Sequence, residues 1–269
     1  MINVSEGRDG AVLAALDQAA GGSLRDRHSD VFHNRSVFTM IDDAPALAEN
    51  VRSLVTASFA ALDLSRHEGA HPRLGVVDVV PFVALAPESF DAAVRLRDET
   101  AAWIARTHEV PVFLYGPTPQ GERTLPYVRA HAFVDLGPDL GPALADPRRG
   151  ASAVGARPVL VAWNLWLRGT SLDEARRLAR LLRRPGLRTL GLRVGDDVQV
   201  SCNLVDLDVV SPSQVYDLVA TELRAGRIDH AELVGLLPRA LLDREDPARW
   251  AQLGLSADAT IESRTPRRS

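Results

Sequence analysis

Residues 76–85 limit the fold more than any other stretch of the chain. They read Val-Val-Asp-Val-Val-Pro-Phe-Val-Ala-Leu, apolar almost throughout and without the alternation of a half-solvated strand. Such a run suits a strand buried on both faces, the kind found in α/β folds. It is too short to span a bilayer, which takes about 20 apolar residues, and Asp78 and Pro81 interrupt it. Residues 110–115 form a second buried strand of the same type. Between the two, residues 89–107 predict a helix with Ala93, Leu96, Ala101, Trp103 and Ile104 turned to the core.

Upstream, residues 1–4 predict a short strand, and residues 11–20 a helix closed by Gly21-Gly22. Residues 24–27 and 36–41 predict strands, and residues 45–62 a helix capped by Asp42 or Asp43. Two polar loops, residues 28–35 and 65–75, lie between these elements. From residue 116 to 155 the pattern dissolves into Gly, Pro and charged residues. This predicts a long connection with at most a short strand near residues 131–135, and a connection of that length is usually functional or a linker.

The second half is cleaner. A strand over residues 158–167 precedes a helix over 171–183, with Ser171 and Glu174 in capping-box spacing. Strands over 188–194 and 197–205 flank a tight Gly195-Asp196 turn. A helix over 211–225 and a strand over 230–236 complete a β-α-β-β-α-β order, the split arrangement of ferredoxin-like domains. The first half fits a larger version of the same plan. The expected fold is therefore α/β (α+β): two stacked ferredoxin-like subdomains, residues 1–156 and 157–245, each a mixed sheet covered by helices. Residues 246–269, rich in Arg, Asp and Pro, predict a helical turn and then a solvated tail.

Composition narrows the chemistry. All 31 Lys+Arg of the 269 residues are arginine. Without lysine there is no Schiff-base amine and no Gly-x-x-x-x-Gly-Lys phosphate loop. The single cysteine, Cys202, excludes an internal disulfide and any zinc site built on two thiolates. A formal net charge of -4 gives no electrostatic footprint for nucleic acid. No basic region followed by an apolar one opens the sequence, so a cytoplasmic protein without a membrane partner is expected.

His67-Glu68-Gly69-Ala70-His71 spells the H-E-x-x-H zinc pattern, which works only on a helix that carries both imidazoles on one face. Gly69 weakens a helix here and Pro72 disfavours helical geometry at His71, so no metal site is expected. His28, His33, His67 and His71 nevertheless fall in the two polar loops of the first half. A histidine near its ordinary pKa of about 6.5 is a natural general acid or base. Arg35 and Arg73, in the same loops, suit carboxylates through bidentate hydrogen bonds. His71 is pinned in an extended loop between Ala70 and Pro72, next to Arg73.

Several blocks carry a family resemblance. They are Asn3-Val-Ser-Glu-Gly-Arg8, His33-Asn-Arg-Ser-Val-Phe-Thr39, Arg66-His-Glu-Gly-Ala-His-Pro-Arg73, Gly75-Val-Val-Asp-Val-Val-Pro-Phe82, Pro111-Val-Phe-Leu-Tyr-Gly116 and Gly150-Ala-Ser-Ala-Val-Gly-Ala-Arg157. Val200-Ser-Cys-Asn-Leu-Val-Asp206 and Glu232-Leu-Val-Gly-Leu-Leu-Pro238 follow in the second half. In this order they resemble the glutamate formimidoyltransferases, including the formiminotransferase part of formiminotransferase-cyclodeaminase. The resemblance implies transfer of a formimino group from N-formimino-L-glutamate to N5 of tetrahydrofolate as co-substrate, with His71 as the catalytic acid/base, in a cytoplasmic homodimer. It implies a folate segment over residues 141–150, with Gly141, Pro142 and Gly150, in a cleft between the two subdomains, and the carboxylates of folate make Arg148, Arg149 and Arg157 candidates for the folate side. Asn34, Arg35, Arg73 and Asp78 are the expected residues for the amino-acid donor, and Asp78 is a candidate to orient His71. The chain departs from the family at Ala70, Arg149 and Trp166. Formyl transfer from N-formylglutamate and folate binding without turnover are the alternative readings.

Overall fold

The computed structural model describes residues 1–265. The chain divides into two compact units, Met1–Val159 and Leu160 onward.

The first unit holds seven strands: β1 (Ile2–Val4), β2 (Leu24–Asp30), β3 (Arg35–Met40), β4 (Val77–Ala84), β5 (Val112–Thr118), β6 (Gly121–Arg123) and β7 (Ser152–Pro158). Four helices accompany them: α1 (Gly10–Ala20), α2 (Ala44–Ala61), α3 (Phe90–His108) and α4 (Leu125–His131). The strands form one sheet in the order β2-β3-β1-β4-β7-β5-β6. Its first four members, β1-α1-β2-β3-α2-β4, pair antiparallel as β4-β1-β3-β2, which is the split βαβ plan. The helices start where the sequence provides caps. Asp9 accepts from the Ala11 and Val12 amides, and Asp43 from the Ala46 amide, each cap worth about 1 kcal/mol.

Beyond β4 the sheet turns parallel. β7 lies between β4 and β5, with Ala153 opposite Val79 on one side and Phe113 on the other. Val80, Phe82, Leu114 and Val154 pack under α1, α2 and α3. Val79, Phe113 and Ala153 pack on the opposite face against Val128 of α4. Two-sided burial is thus the environment of the apolar run in β4.

The stretch expected to be without structure, residues 116–155, contains β6, α4 and the first half of the central strand β7. Ser152, Ala153, Gly155 and Ala156 have low intrinsic strand preference, so the sequence carries no strand signal there. Their small size is what the position demands: a Cβ on Gly155 would come within 2.2 Å of the Tyr115 ring. The short strand expected near residues 131–135 does not form, because α4 runs to His131 and the chain then turns. The polar loop of residues 28–35 is the end of a hairpin, with β2 reaching Asp30 and β3 starting at Arg35.

The second unit follows the predicted order: β8 (Val161–Arg168), α5 (Leu172–Leu182), β9 (Leu187–Val194), β10 (Asp197–Leu204), α6 (Pro212–Glu222) and β11 (Arg227–Val234). Its strand order β11-β8-β10-β9 is antiparallel throughout instead of mixed, because each helix crossover skips one strand position and an oppositely directed strand fills the gap. Gly195 takes φ 60 in the β9–β10 turn, where a Cβ would strain the backbone. Ser211 and Gln214 form a complete capping box. Ser171 caps α5 through the Glu174 amide, but the Glu174 carboxylate pairs with Arg177.

Residues past Asp243 pack back onto this unit, where a solvated tail was expected. Leu253 and Leu255 are buried, the Trp163 indole donates to the Leu253 carbonyl at 2.8 Å, and Leu237 bridges Thr260. Apolar residues spaced among the charges supply the driving force. The end of the expected tail, residues 266–269, lies outside the described residues. Among the described residues no helix is long and apolar enough to cross a membrane.

Gly155→Ala tests the packing of β7. Forcing a methyl into the Tyr115 ring should destabilise the protein by about 1–3 kcal/mol, read as a lower urea midpoint at unchanged slope.

Candidate active site

Four segments of the first unit converge: the turn after β1, the β2–β3 turn, the loop from α2 to β4, and α4. Asn34 fastens the first three. It sits at φ 47, a left-handed conformation that asparagine tolerates. Its side-chain oxygen accepts from the Gly7 amide at 2.9 Å, and its nitrogen donates to the Glu68 carbonyl at 2.9 Å and faces His67 Nδ1 at 3.1 Å. The Ala70 amide donates to the Phe32 carbonyl at 3.1 Å. Gly69 is needed for this approach, since a Cβ there would lie 2.3 Å from the His33 carbonyl oxygen. The loop holding both letters of the zinc pattern is therefore extended, and His67 uses Nδ1 on Asn34. Among the described residues no three His, Cys, Asp or Glu side chains group as ligands for a metal.

His71 follows in that loop. Its Nδ1 lies 2.6 Å from the Pro72 carbonyl oxygen. A carbonyl only accepts, so Nδ1 carries the proton and Nε2 keeps the lone pair. Arg35, the first residue of β3, brings Nη1 to 2.6 Å from Nδ1 and 2.8 Å from Nε2. A nitrogen that close to both sits over the ring at its Cε1 edge, not along either lone pair. Burial, then the charges of Arg35 and Arg129, push His71 down to about 3. The imidazole is neutral at neutral pH. His33 meets it edge-on, with ring centroids 5.7 Å apart.

Asp78 bonds the groups around this ring. The residue is fully buried, and its carboxylate accepts from the Leu74 amide at 2.7 Å and from Arg129 Nη2 at 2.6 Å, with Arg35 Nη2 at 3.3 Å. Burial opposes its ionisation, but the Arg35 and Arg129 charges and these hydrogen bonds hold it below the usual carboxylate range. Asp78 thus acts on the arginines, and the acceptor that orients His71 is the Pro72 carbonyl. Arg129 of α4 reaches the same carbonyl with Nη1 at 3.2 Å. Arg73 donates Nη2 to the His71 carbonyl at 2.8 Å. Burial lowers Arg35 to about 10, with Arg129 and Arg73 adding to it and Asp78 opposing, so the guanidinium stays charged.

Three guanidinium groups therefore face one carboxylate around a neutral imidazole. Arg35 Nε and Arg73 Nη1 are buried with no hydrogen-bond partner. Buried donors left open in a cationic pocket suit an acceptor such as a carboxylate. Beside Asn34 and His67 opens a cavity of about 260 Å³, also lined by Ser5, Glu6 and Asp63.

The residues expected on the folate side do not gather at one point. Arg149 and Gly150 run along the strand leading into β4: the Val76 amide donates to the Arg149 carbonyl at 2.9 Å, and the Ala151 amide to the Leu74 carbonyl at 3.0 Å. A Cβ on Gly150 would lie 2.3 Å from the Leu74 carbonyl oxygen, and the Arg149 guanidinium is paired with Asp146 at 2.6 Å. Arg148 reaches Asp63 at 2.9 Å. Gly141 packs against the Val110 carbonyl before β5, and Pro142 is exposed. Arg157 stands at the other end of β7, roughly 20 Å along the strand from Gly150 at about 3.3 Å per residue. There it donates to the Pro158 carbonyl at 2.9 Å and contacts the Met1 sulfur. In the second unit, Asn164 and Trp166 both donate to the Glu232 carboxylate.

Arg129 is the site residue that sequence reasoning missed. Its helix has only seven residues, with Pro126 in the first turn. The one available signal was Thr124, which caps it through the Tyr127 amide.

Asp78→Asn keeps the shape but leaves two guanidinium groups without their counter-charge. A loss of about 3–5 kcal/mol in unfolding free energy is expected, measured by chemical denaturation.

Comparison with known proteins bears on the family of the chain. A profile of the formiminotransferase domain, N-terminal subdomain, matches residues 1–157. The glutamate formimidoyltransferase of Streptococcus pyogenes serotype M1 is 33% identical over 266 residues, covering 90% of this chain and 89% of its own length. That of Thermoplasma acidophilum is 29% identical over 268 residues, covering 90% and 88%. The formimidoyltransferase-cyclodeaminase of Sus scrofa is 32% identical over 272 residues, covering 90% of this chain and 50% of its own. The chain thus spans about half the length of the bifunctional relatives and most of the others. It belongs to the formiminotransferase family and is a transferase.

Proposed function

We propose that the protein moves the formimino group of N-formimino-L-glutamate to N5 of tetrahydrofolate, with His71 as general acid/base. One observation carries the reading: a neutral imidazole sits among three guanidinium groups, two of which, Arg35 and Arg73, retain unsatisfied donors. The donor substrate has two carboxylates, and Arg35 and Arg73 offer the open N–H groups that would bind them. Asn34 holds the loop that shapes this pocket. On the folate side, the reading assigns Gly141, Pro142, Arg149, Gly150 and Arg157.

The chemistry follows from the protonation state. N5 of the reduced pterin attacks the formimino carbon and forms a C–N bond, and the carbon becomes tetrahedral. Nε2 of His71 takes the proton that N5 loses. The bond from that carbon to the glutamate nitrogen then breaks, and the imidazolium returns the proton to the departing amine. One imidazole serves both steps, a contribution of about 10²–10⁴ in rate. An imidazole held near 3 is a weak base in the free protein. Burial depresses it most and the Arg35 and Arg129 charges add to that, so a carboxylate seated on Arg35 offsets part of the depression and raises it.

The test is to incubate the protein with N-formimino-L-glutamate and tetrahydrofolate and to follow the folate absorbance. Turnover is expected, and His71→Ala should reduce it by about 10²-fold or more. Full turnover by His71→Ala sinks the role of the histidine. Turnover only with N-formylglutamate replaces the formimino donor by a formyl one. Tight folate binding without turnover leaves a binding protein.

A further inference from the structure

We propose that Arg129 is a positioning residue for His71, bridging the Pro72 carbonyl and the Asp78 carboxylate so that Nε2 is the basic nitrogen and its direction is fixed. The proposal rests on the reading of His71 as the acid/base. Arg129 donates Nη2 to Asp78 at 2.6 Å and Nη1 to the Pro72 carbonyl at 3.2 Å. That carbonyl is the one that holds the His71 Nδ1 proton at 2.6 Å. Each hydrogen bond of the Arg129 side chain therefore ends on a group that defines the imidazole: one on the carbonyl selecting its tautomer, the other on the buried anion that also holds Arg35. The planar fork of a guanidinium spans two such acceptors, whereas the point charge of an ammonium does not.

The rest of α4 does not need this arginine for packing. Val128 supplies the buried contact with Val79 and Phe113. Arg129 itself keeps part of its side chain in solvent, at 20% exposure.

Every element against the ring contributes charge. Arg35 comes from β3, Arg129 from α4, Asp78 from β4 and Arg73 from the same loop, with the edge of His33 from the β2–β3 turn. Arg35 touches the ring directly, while Arg129 acts through Pro72 and Asp78. Removing the Arg129 charge leaves Asp78 with a single guanidinium partner and takes one cation from the field on the imidazole. The protonated ring then becomes easier to form, so His71 titrates at higher pH.

Arg129→Gln and Arg129→Lys separate the two contributions. The first readout is NMR titration of the His71 Cε1 proton in the full chain without substrate. Arg129→Gln should titrate higher than wild type by about one unit or more, while Arg129→Lys stays close to wild type because the charge remains. The second readout is kcat and KM across pH with N-formimino-L-glutamate and tetrahydrofolate. Both variants should lose about tenfold to a hundredfold in kcat, with donor KM little changed, because the base is misplaced. The acid limb of the profile should move upward only in Arg129→Gln. An unchanged His71 titration in Arg129→Gln, or wild-type kcat in both variants, overturns the proposal. If wild-type protein shows no formimino transfer, the reading of the activity fails and the titration alone decides the placement of His71. If Arg129→Gln does not fold, Arg129→Lys carries the test: wild-type kcat overturns the proposal, and a kcat loss at unmoved acid limb supports it.

Discussion

A single carboxylate with no access to water organises the first unit. Asp78 belongs to β4, at the centre of the sheet, and its acceptors tie down three other parts of the chain: the loop at Leu74, β3 through Arg35, and α4 through Arg129. An ion in such a place is costly unless its partners are well placed, and it makes their arrangement close to all-or-none. The histidine loop is held by the same contacts. Protein stability and the aim of the imidazole thus share one anchor.

The site departs from the familiar plan in which a carboxylate holds a catalytic imidazole. Here a guanidinium lies between the two groups, and a backbone carbonyl accepts the ring proton. A carboxylate in direct contact would keep the ring basic at all times. Burial and an intervening cation keep it neutral and weakly basic. Because the chain has no lysine, all of this charge sits on rigid, planar groups that cannot lose a proton at neutral pH.

How much of this was written in the sequence depended on whether a residue carries its own local signal. The second unit was legible because its punctuation is local: Gly195-Asp196 forces a turn, and Ser171 caps a helix. His71 stood out because Pro72 pins it in an extended loop and Arg73 follows, and the family blocks around it run in order. β7 left no trace, since alanine, serine and glycine choose a strand only when two flanking strands already offer their edges. Arg129 was hidden for a related reason. A seven-residue helix has too few turns to show periodicity, and the partners that give this arginine a purpose, Pro72 and Asp78, lie far away in sequence. The 141–150 segment stood out through the family resemblance alone, and Gly141 and Gly150, at φ 85 and 73, each turn the backbone there.

The place of β7 also bears on the order in which the first unit is completed. β4 and β5 are consecutive strands joined by α3, yet they do not pair with each other. Until residues 152–158 have emerged, both strands present open inner edges with nothing between them, and the hydrophobic floor under α3 is incomplete. Closing that slot takes pairings that are long-range in sequence, made by a strand of weak intrinsic preference. Whenever residues 152–158 are out of place, two inner edges lie open, the condition under which a sheet pairs with another chain.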